Sequence, residues 1–164
     1  MDQRTTSGRL AVAVANAGVV DRYRAKIQRP STDGCWIWTG AISGRGHGRF
    51  WVATGFVVIA HRFGYALEHG AANMPALLAH QCDNPLCQNP SPAHLRPATS
   101  ASNSAEWASR RHTIGSPLRD LRGSLGRASA LRDAARDGIE LEPVAMAGLG
   151  VLDANQAPLW TESE

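Results

Sequence analysis

The residues of this chain best suited to chemistry are its three cysteines, six histidines and a few amides. Cys82 and Cys87 bracket Asp83-Asn84-Pro85-Leu86, turn-forming residues that bring two thiolates together without a long ordered linker. Three thiols cannot all pair as disulfides. Joined by Cys35 and one imidazole, the pair would complete the donor set of a tetrahedral, structural Zn²⁺ site. His94 is the first choice for the fourth ligand and His61 the second. Such an ion would fix a proline-rich loop that little else can hold, the alternative being three simply buried thiols. His80 lies two residues before Cys82, so on a strand their side chains share a face, and its imidazole can serve as ligand or base. Asn103 offers a hard carbonyl oxygen suited to Mg²⁺ or Mn²⁺.

The elements that must position these groups can be read from local pattern. Residues 10–20 read as a weakly apolar helix and residues 19–28 as a second short one, stopped at Arg29-Pro30. Residues 49–53 and 56–60 flank Thr54-Gly55, which predicts a hairpin, and residues 61–69 have helical spacing with Gly70 as a stop. Residues 77–82 read as a short strand. Residues 83–93 form an irregular loop, because Pro85, Pro90 and Pro92 each remove a backbone donor. A second strand over 94–98 leads to Thr99 or Ser100, which caps a helix running through Arg111. Asn103, Trp107 and Arg111 recur there at intervals of four. Beyond lie a Gly/Arg linker over 113–126, a short helix over 126–136, a further turn over 143–147 and a loose tail after Leu152. Trp36, Trp38 and Trp51 are expected in core and hairpin packing, and Trp107 between helix and hairpin. Arg119, Arg122 and Arg127 read equally as a phosphate-binding arm or a solvated linker.

The run His80-Gln-Cys-Asp-Asn-Pro-Leu-Cys-Gln-Asn-Pro-Ser-Pro-Ala-His-Leu-Arg-Pro-Ala-Thr, followed by Asn103, resembles the HNH endonucleases. More narrowly it is similar to the phage and actinobacterial branch that keeps a Cys pair in the loop. Cys35-Trp36-Ile37-Trp38-Thr39-Gly40, Gly46-His47-Gly48-Arg49-Phe50 and Ala60-His61-Arg62 are also similar to that branch. The resemblance covers roughly residues 21–136, and its specific part is 80–103. It implies an α+β fold: a small ββα-metal (His-Me finger) core at about residues 77–112, an upstream β-hairpin and helix, and flanking helices. The nuclease domain would span 35–112. Residues 1–34 would be a helical extension, and 113–164 an Arg-rich linker, short helix and acidic tail. The resemblance further implies that His80 is the general base, that His94 steadies loop and base, and that Asn103 binds the catalytic cation. Products would carry 5′-phosphate and 3′-hydroxyl ends. Arg62, Arg96, Arg110 and Arg111 would hold the DNA backbone. The chain departs from the pattern at Ala79, where many members carry Asp, Glu or His as a second metal ligand; His61 and Asp83 are the candidates to replace it. His94 would then serve both zinc and base, unless zinc itself does the steadying.

Charge agrees with a polyanionic partner. Residues 1–132 hold 16 of the 17 basic residues and 7 of the 14 acidic ones, a net +9, while residues 133–164 carry −6. All but Lys26 of the bases are Arg, whose planar fork suits phosphate. No apolar run approaches the roughly 20 residues that span a bilayer, and the apolar run behind Arg4 and Arg9 reads as a helix rather than a leader, so a cytoplasmic protein of a bacterium or infected host is expected. A homodimer on two-fold DNA sites is one arrangement open to such a chain. Two functions fit: a metal-dependent DNA endonuclease or nickase, or a non-catalytic zinc-stabilised DNA-binding accessory protein, for example in phage DNA packaging. His80 with Asn103 favours the first, Ala79 the second.

Overall fold

Strict alternation of buried and exposed residues builds the central sheet. In β4 (Gly48–Ala53), Phe50 and Val52 point inward while Arg49 and Trp51 point out. The computed structural model describes residues 3–30 and 34–150, with side chains from Ser7 onward. β4 turns through Thr54-Gly55, with Gly55 at a φ of 68°, into β5 (Phe56–Ile59). β3 (Ala41–Ile42) pairs on the other side of β4, giving the antiparallel order β3-β4-β5. Helix α3 (Ala60–His69) follows β5 without a loop and lays Phe63 under the sheet. Phe50 and Tyr23 approach the Phe63 ring to centroid distances of 4.8 and 4.9 Å. Trp38, fully buried, lies against Gly48: a Cβ at position 48 would come within 2.7 Å of the indole, so only glycine lets strand and ring meet.

The flanking segments help to build this core. Helix α1 (Gln3–Ala15) stops at Asn16, whose side chain accepts from the Val19 amide and starts α2 (Ala17–Arg24). The helix expected over 10–20 is therefore two, broken at the cap. The next segment does not remain helical to Gln28 either, because β1 (Ile27–Gln28) pairs antiparallel with β2 (Ile37–Trp38). Leu10, Ala13, Val20 and Tyr23 share one buried cluster with Trp38 and Phe50, and with Ala128, Leu131 and Ala135 from α5 (Gly123–Asp137).

The stretch expected as a Gly/Arg linker is folded. A 3₁₀ turn (Pro117–Arg119) leads into α5, which packs with α6 (Leu141–Met146). Asp120, its side chain only 1% exposed, accepts from Arg122 at 2.7 and 2.9 Å and from Arg127 at 3.1 Å. Both arginines also donate to carbonyls in the last turn of α6, Arg122 to that of Val144 and Arg127 to that of Ala145. They are thus neither a phosphate arm nor a solvated linker. Burial alone would raise the Asp120 pKa, but hydrogen bonds from Arg122 and Arg127 outweigh it and hold the carboxyl at about 2. A depressed folded-state pKa contributes stability that is complete above the unfolded value near 4 and lost as pH falls toward 2. Asp120→Asn should therefore cost about 2 kcal/mol in denaturant titrations at pH 7, with the difference shrinking below pH 4. A constant difference down to pH 2 would contradict this assignment. The expected loose tail, residues 151–164, lies outside the described residues.

β6 (Leu77–His80) pairs antiparallel with β7 (Leu95–Ala98), His80 opposite Leu95, and α4 (Ser100–Arg110) follows directly. Thr99 caps α4 in a reciprocal box with Ser102. Pro97 is tolerated because this sheet has two strands, so each has an unpaired edge. Tyr65, Leu78 and Leu95 form a small second cluster that seats the pair on α3. Among the described residues no helix is long and apolar enough to cross a membrane.

Candidate functional site

The loop between β6 and β7 is held by backbone bonds to β2. Ile37 bridges Cys87, the Trp38 amide donates to Leu86 O at 3.1 Å, and the Gln88 amide donates to Trp36 O at 2.8 Å. Within the loop, Asn84 Oδ1 accepts from the Leu86 amide and Asn89 Nδ2 donates to Gly34 O. Leu86, Cys87, Gln88 and Asn89 are consequently buried, and Tyr23 Oη reaches Gln88 Oε1 at 2.9 Å. This stitching carries Cys35 to the two loop cysteines.

The ligand atoms of Cys35, Cys82, Cys87 and His94 all lie within 4.8 Å of one another. His94 Nδ1 is 3.6 Å from Cys35 Sγ and 3.5 Å from Cys87 Sγ. A tetrahedral zinc ion, with bonds of about 2.3 Å to sulfur and about 2.0–2.1 Å to nitrogen, keeps such ligands about 3.6 Å apart. The four residues therefore fit a structural metal such as zinc. Hydrogen bonds from Cys82 and then Cys87 push the Cys35 thiol down to about 3, while the same neighbours, Cys35 first, drive Cys87 far up. Three sulfurs this close cannot all ionise unless a cation joins them. Of the two histidines proposed as fourth ligand, His94 is the one in the cluster.

His61 lies elsewhere, for a clear reason: as the second residue of α3, it is buried beneath the end of β6. Its Nδ1 is 3.2 Å from His80 Nε2, and the two rings meet edge to face at a centroid distance of 4.5 Å. His47, in the glycine-rich turn before β4, stands 5.7 and 5.9 Å from the same rings. Burial depresses the pKa of all three, most strongly for His61, where the charges of His80 and His47 add to the effect. His80 Nδ1 is buried without a hydrogen-bond partner. The ring of the expected base is thus steadied by His61, while His94 turns to the thiolates. The strand expected over 77–82 stops at His80, and Cys82, in the turn that follows, still faces His80 and partly offsets its burial.

A groove of about 650 Å³ opens over these elements, lined among others by Arg45, His47, His80, Asp83, Asn103 and Arg110. It brings together His80 from the end of β6 and Asn103 from the first turn of α4. Both oxygens of Asp83, whose φ is 50°, are engaged by Arg110 at 2.8 and 3.0 Å, so this carboxylate is committed to an ion pair. Arg110 also bonds Gln81 and Glu106, and Glu106 in turn pairs with Arg96, tying α4 to the loop and to β7. Arg62 donates to the carbonyls of Pro75 and Ala76. Arg111 is exposed and stacks on Trp107, 4.6 Å from its ring centre. Of the four arginines expected on DNA, Arg110 is the one lining the groove. Trp107 is 48% exposed and also lines it, rather than packing between helix and hairpin, and Trp51 is 54% exposed on the outer face of the sheet. Arg45 and His47 were not singled out as site residues; their signal was the glycine run 44–48, which allows a tight turn to reach the groove.

No family model and no solved structure matches the chain. Two proteins of Escherichia phage T7 do. Protein 2.8 is 37% identical over 81 residues, covering 49% of this chain and 53% of its own length. Protein 7.7 is 36% identical over 76 residues, covering 46% and 56%. The chain spans about half the length of these curated relatives.

Proposed function

We propose that the chain is a metal-dependent DNA endonuclease or nickase of the HNH type, with β6, β7 and α4 as a ββα-metal core and a structural zinc in its loop. The observation that carries this reading is one groove lined by both His80, its Nδ1 without a partner, and Asn103. With the Nε2 proton donated to His61 Nδ1, the His80 Nδ1 lone pair is left as the base; that atom is buried and the ring faces Cys82, so the groove must open there to bring water to it. Asn103 would offer its amide oxygen to a divalent cation such as Mg²⁺ or Mn²⁺, the remaining positions falling to waters and phosphate oxygens. When bound, that ion supplies charge stabilisation at the scissile phosphate and the leaving 3′ oxygen. Arg45 and Arg110 border the groove and orient the backbone of a bound strand. Cys35, Cys82, Cys87 and His94 would hold zinc, which secures the loop joining His80 to β7. The phage origin of the two relatives suits a DNA enzyme working inside an infected cell.

A second reading, the non-catalytic DNA-binding module, draws support from Ala79 and from the engagement of Asp83 by Arg110, which leaves few oxygen donors for a catalytic ion. Incubation with supercoiled plasmid and Mg²⁺ or Mn²⁺ separates the two. The nuclease converts plasmid to nicked or linear forms, and chelator stops it. Retained binding without cleavage, by wild type and His80→Ala alike, would leave the binding module.

A further inference from the structure

We propose that the outer face of the β4–β5 hairpin is a second contact for duplex DNA, apart from the groove. Cross-strand register pairs Trp51 with Val57 and Arg49 with Ile59 on this face. Trp51, Val57 and Ile59 are 54, 43 and 37% exposed, an apolar strip on a sheet whose opposite face is buried. Arg22 from α2 places its guanidinium 5.1 Å from the Trp51 ring centre and donates to Val52 O at 2.8 Å, so a positive charge is fixed beside the indole. Arg49 adds a second charge within the strip. The chain from 34 to 67, which contains the whole hairpin, has no Asp or Glu and carries Arg45, Arg49 and Arg62.

These features choose the occupant. A second copy of the chain, docked by two-fold symmetry, would set this positively charged face against an identical positively charged face. DNA offers the opposite charge, with sugars and base edges for the indole and aliphatic side chains between the phosphates. Beyond the short β3, which pairs with β4 only at Gly48 and Arg49, the hairpin continues as a two-stranded ribbon, of a width that a major groove admits. The inference shares with the proposed function its DNA partner but makes no use of cleavage.

The test uses the full His80→Ala chain, so that the probe stays intact, and follows fluorescence anisotropy of a short labelled duplex across a salt series. Adding Trp51→Ala should weaken binding about tenfold, the loss of one anchoring aromatic side chain. Adding Arg49→Gln should weaken it and lower the salt slope by about one. Circular dichroism should match the parent in both cases, since the side chains are exposed. Parent binding with unchanged affinity in both variants would overturn this contact and leave the nuclease reading standing. Failure of the parent to bind any duplex would remove both. A variant that alters the monomer–dimer balance, but not the affinity per protomer, would make the face a self-association surface and overturn the proposal.

Discussion

His80→Ala should lower phosphodiester cleavage by about a thousandfold while leaving DNA affinity unchanged. A positioned general base contributes about 10²–10⁴ in rate, and of the two imidazoles lining the groove, His80 and His47, it is His80 that has His61 to orient it. His47 stands 5.9 Å from His80, ring centre to ring centre, and His61 is occupied by His80 itself. The same experiment has an internal comparison in His61→Ala. Removing the neighbour that orients the base should cost about 10–100-fold, the range typical of partners behind a working residue. Multiple-turnover plasmid assays at saturating DNA read both. Cleavage by His80→Ala at the wild-type rate would show that another group takes the proton.

Cys87→Ser should release bound zinc and lower stability on the order of 5 kcal/mol, a large share of what a domain this size possesses. Cys87 is fully buried, bridges to Ile37 and faces His94 Nδ1 at 3.5 Å, so it belongs to the Cys/His cluster and the core together. Metal analysis of the purified wild type should find about one zinc per chain, the variant none, and chelator should lower the wild-type melting temperature toward that of the variant. The effect reaches the groove, because the same loop supplies Asp83 to Arg110 and ends at His94, whose carbonyl accepts from the Gln81 amide beside His80. A wild type that carries no metal and melts identically with chelator would leave three buried thiols and no site.

How far the sequence reached differs from residue to residue. The hairpin at Thr54-Gly55, the strand–loop–strand–helix order from Leu77 to Arg110 and the Thr99 cap were all legible, and the structure has them. The proposed ligand set of Cys35, Cys82, Cys87 and His94 also comes together. The break at Asn16 was less legible, because an alanine- and valine-rich run continues on both sides of the cap. Arg122 and Arg127 read as linker residues for a related reason. Their composition is that of a linker, and a single buried carboxylate, Asp120, converts them into a folded knot.

What the sequence alone determined is what depends on neighbours within a few residues: turn chemistry, caps, strand alternation and the short span from Cys82 to Cys87. Choosing His94 over His61, turning Trp51 outward while Trp38 is fully buried, and placing His61 against His80 were decided by tertiary structure. Each of those outcomes depends on contacts between segments far apart in the chain, such as Ile37 with Cys87 and α3 with the end of β6. Local propensity cannot encode such pairings, because they are selected by the joint packing of surfaces that exist only once the chain has folded.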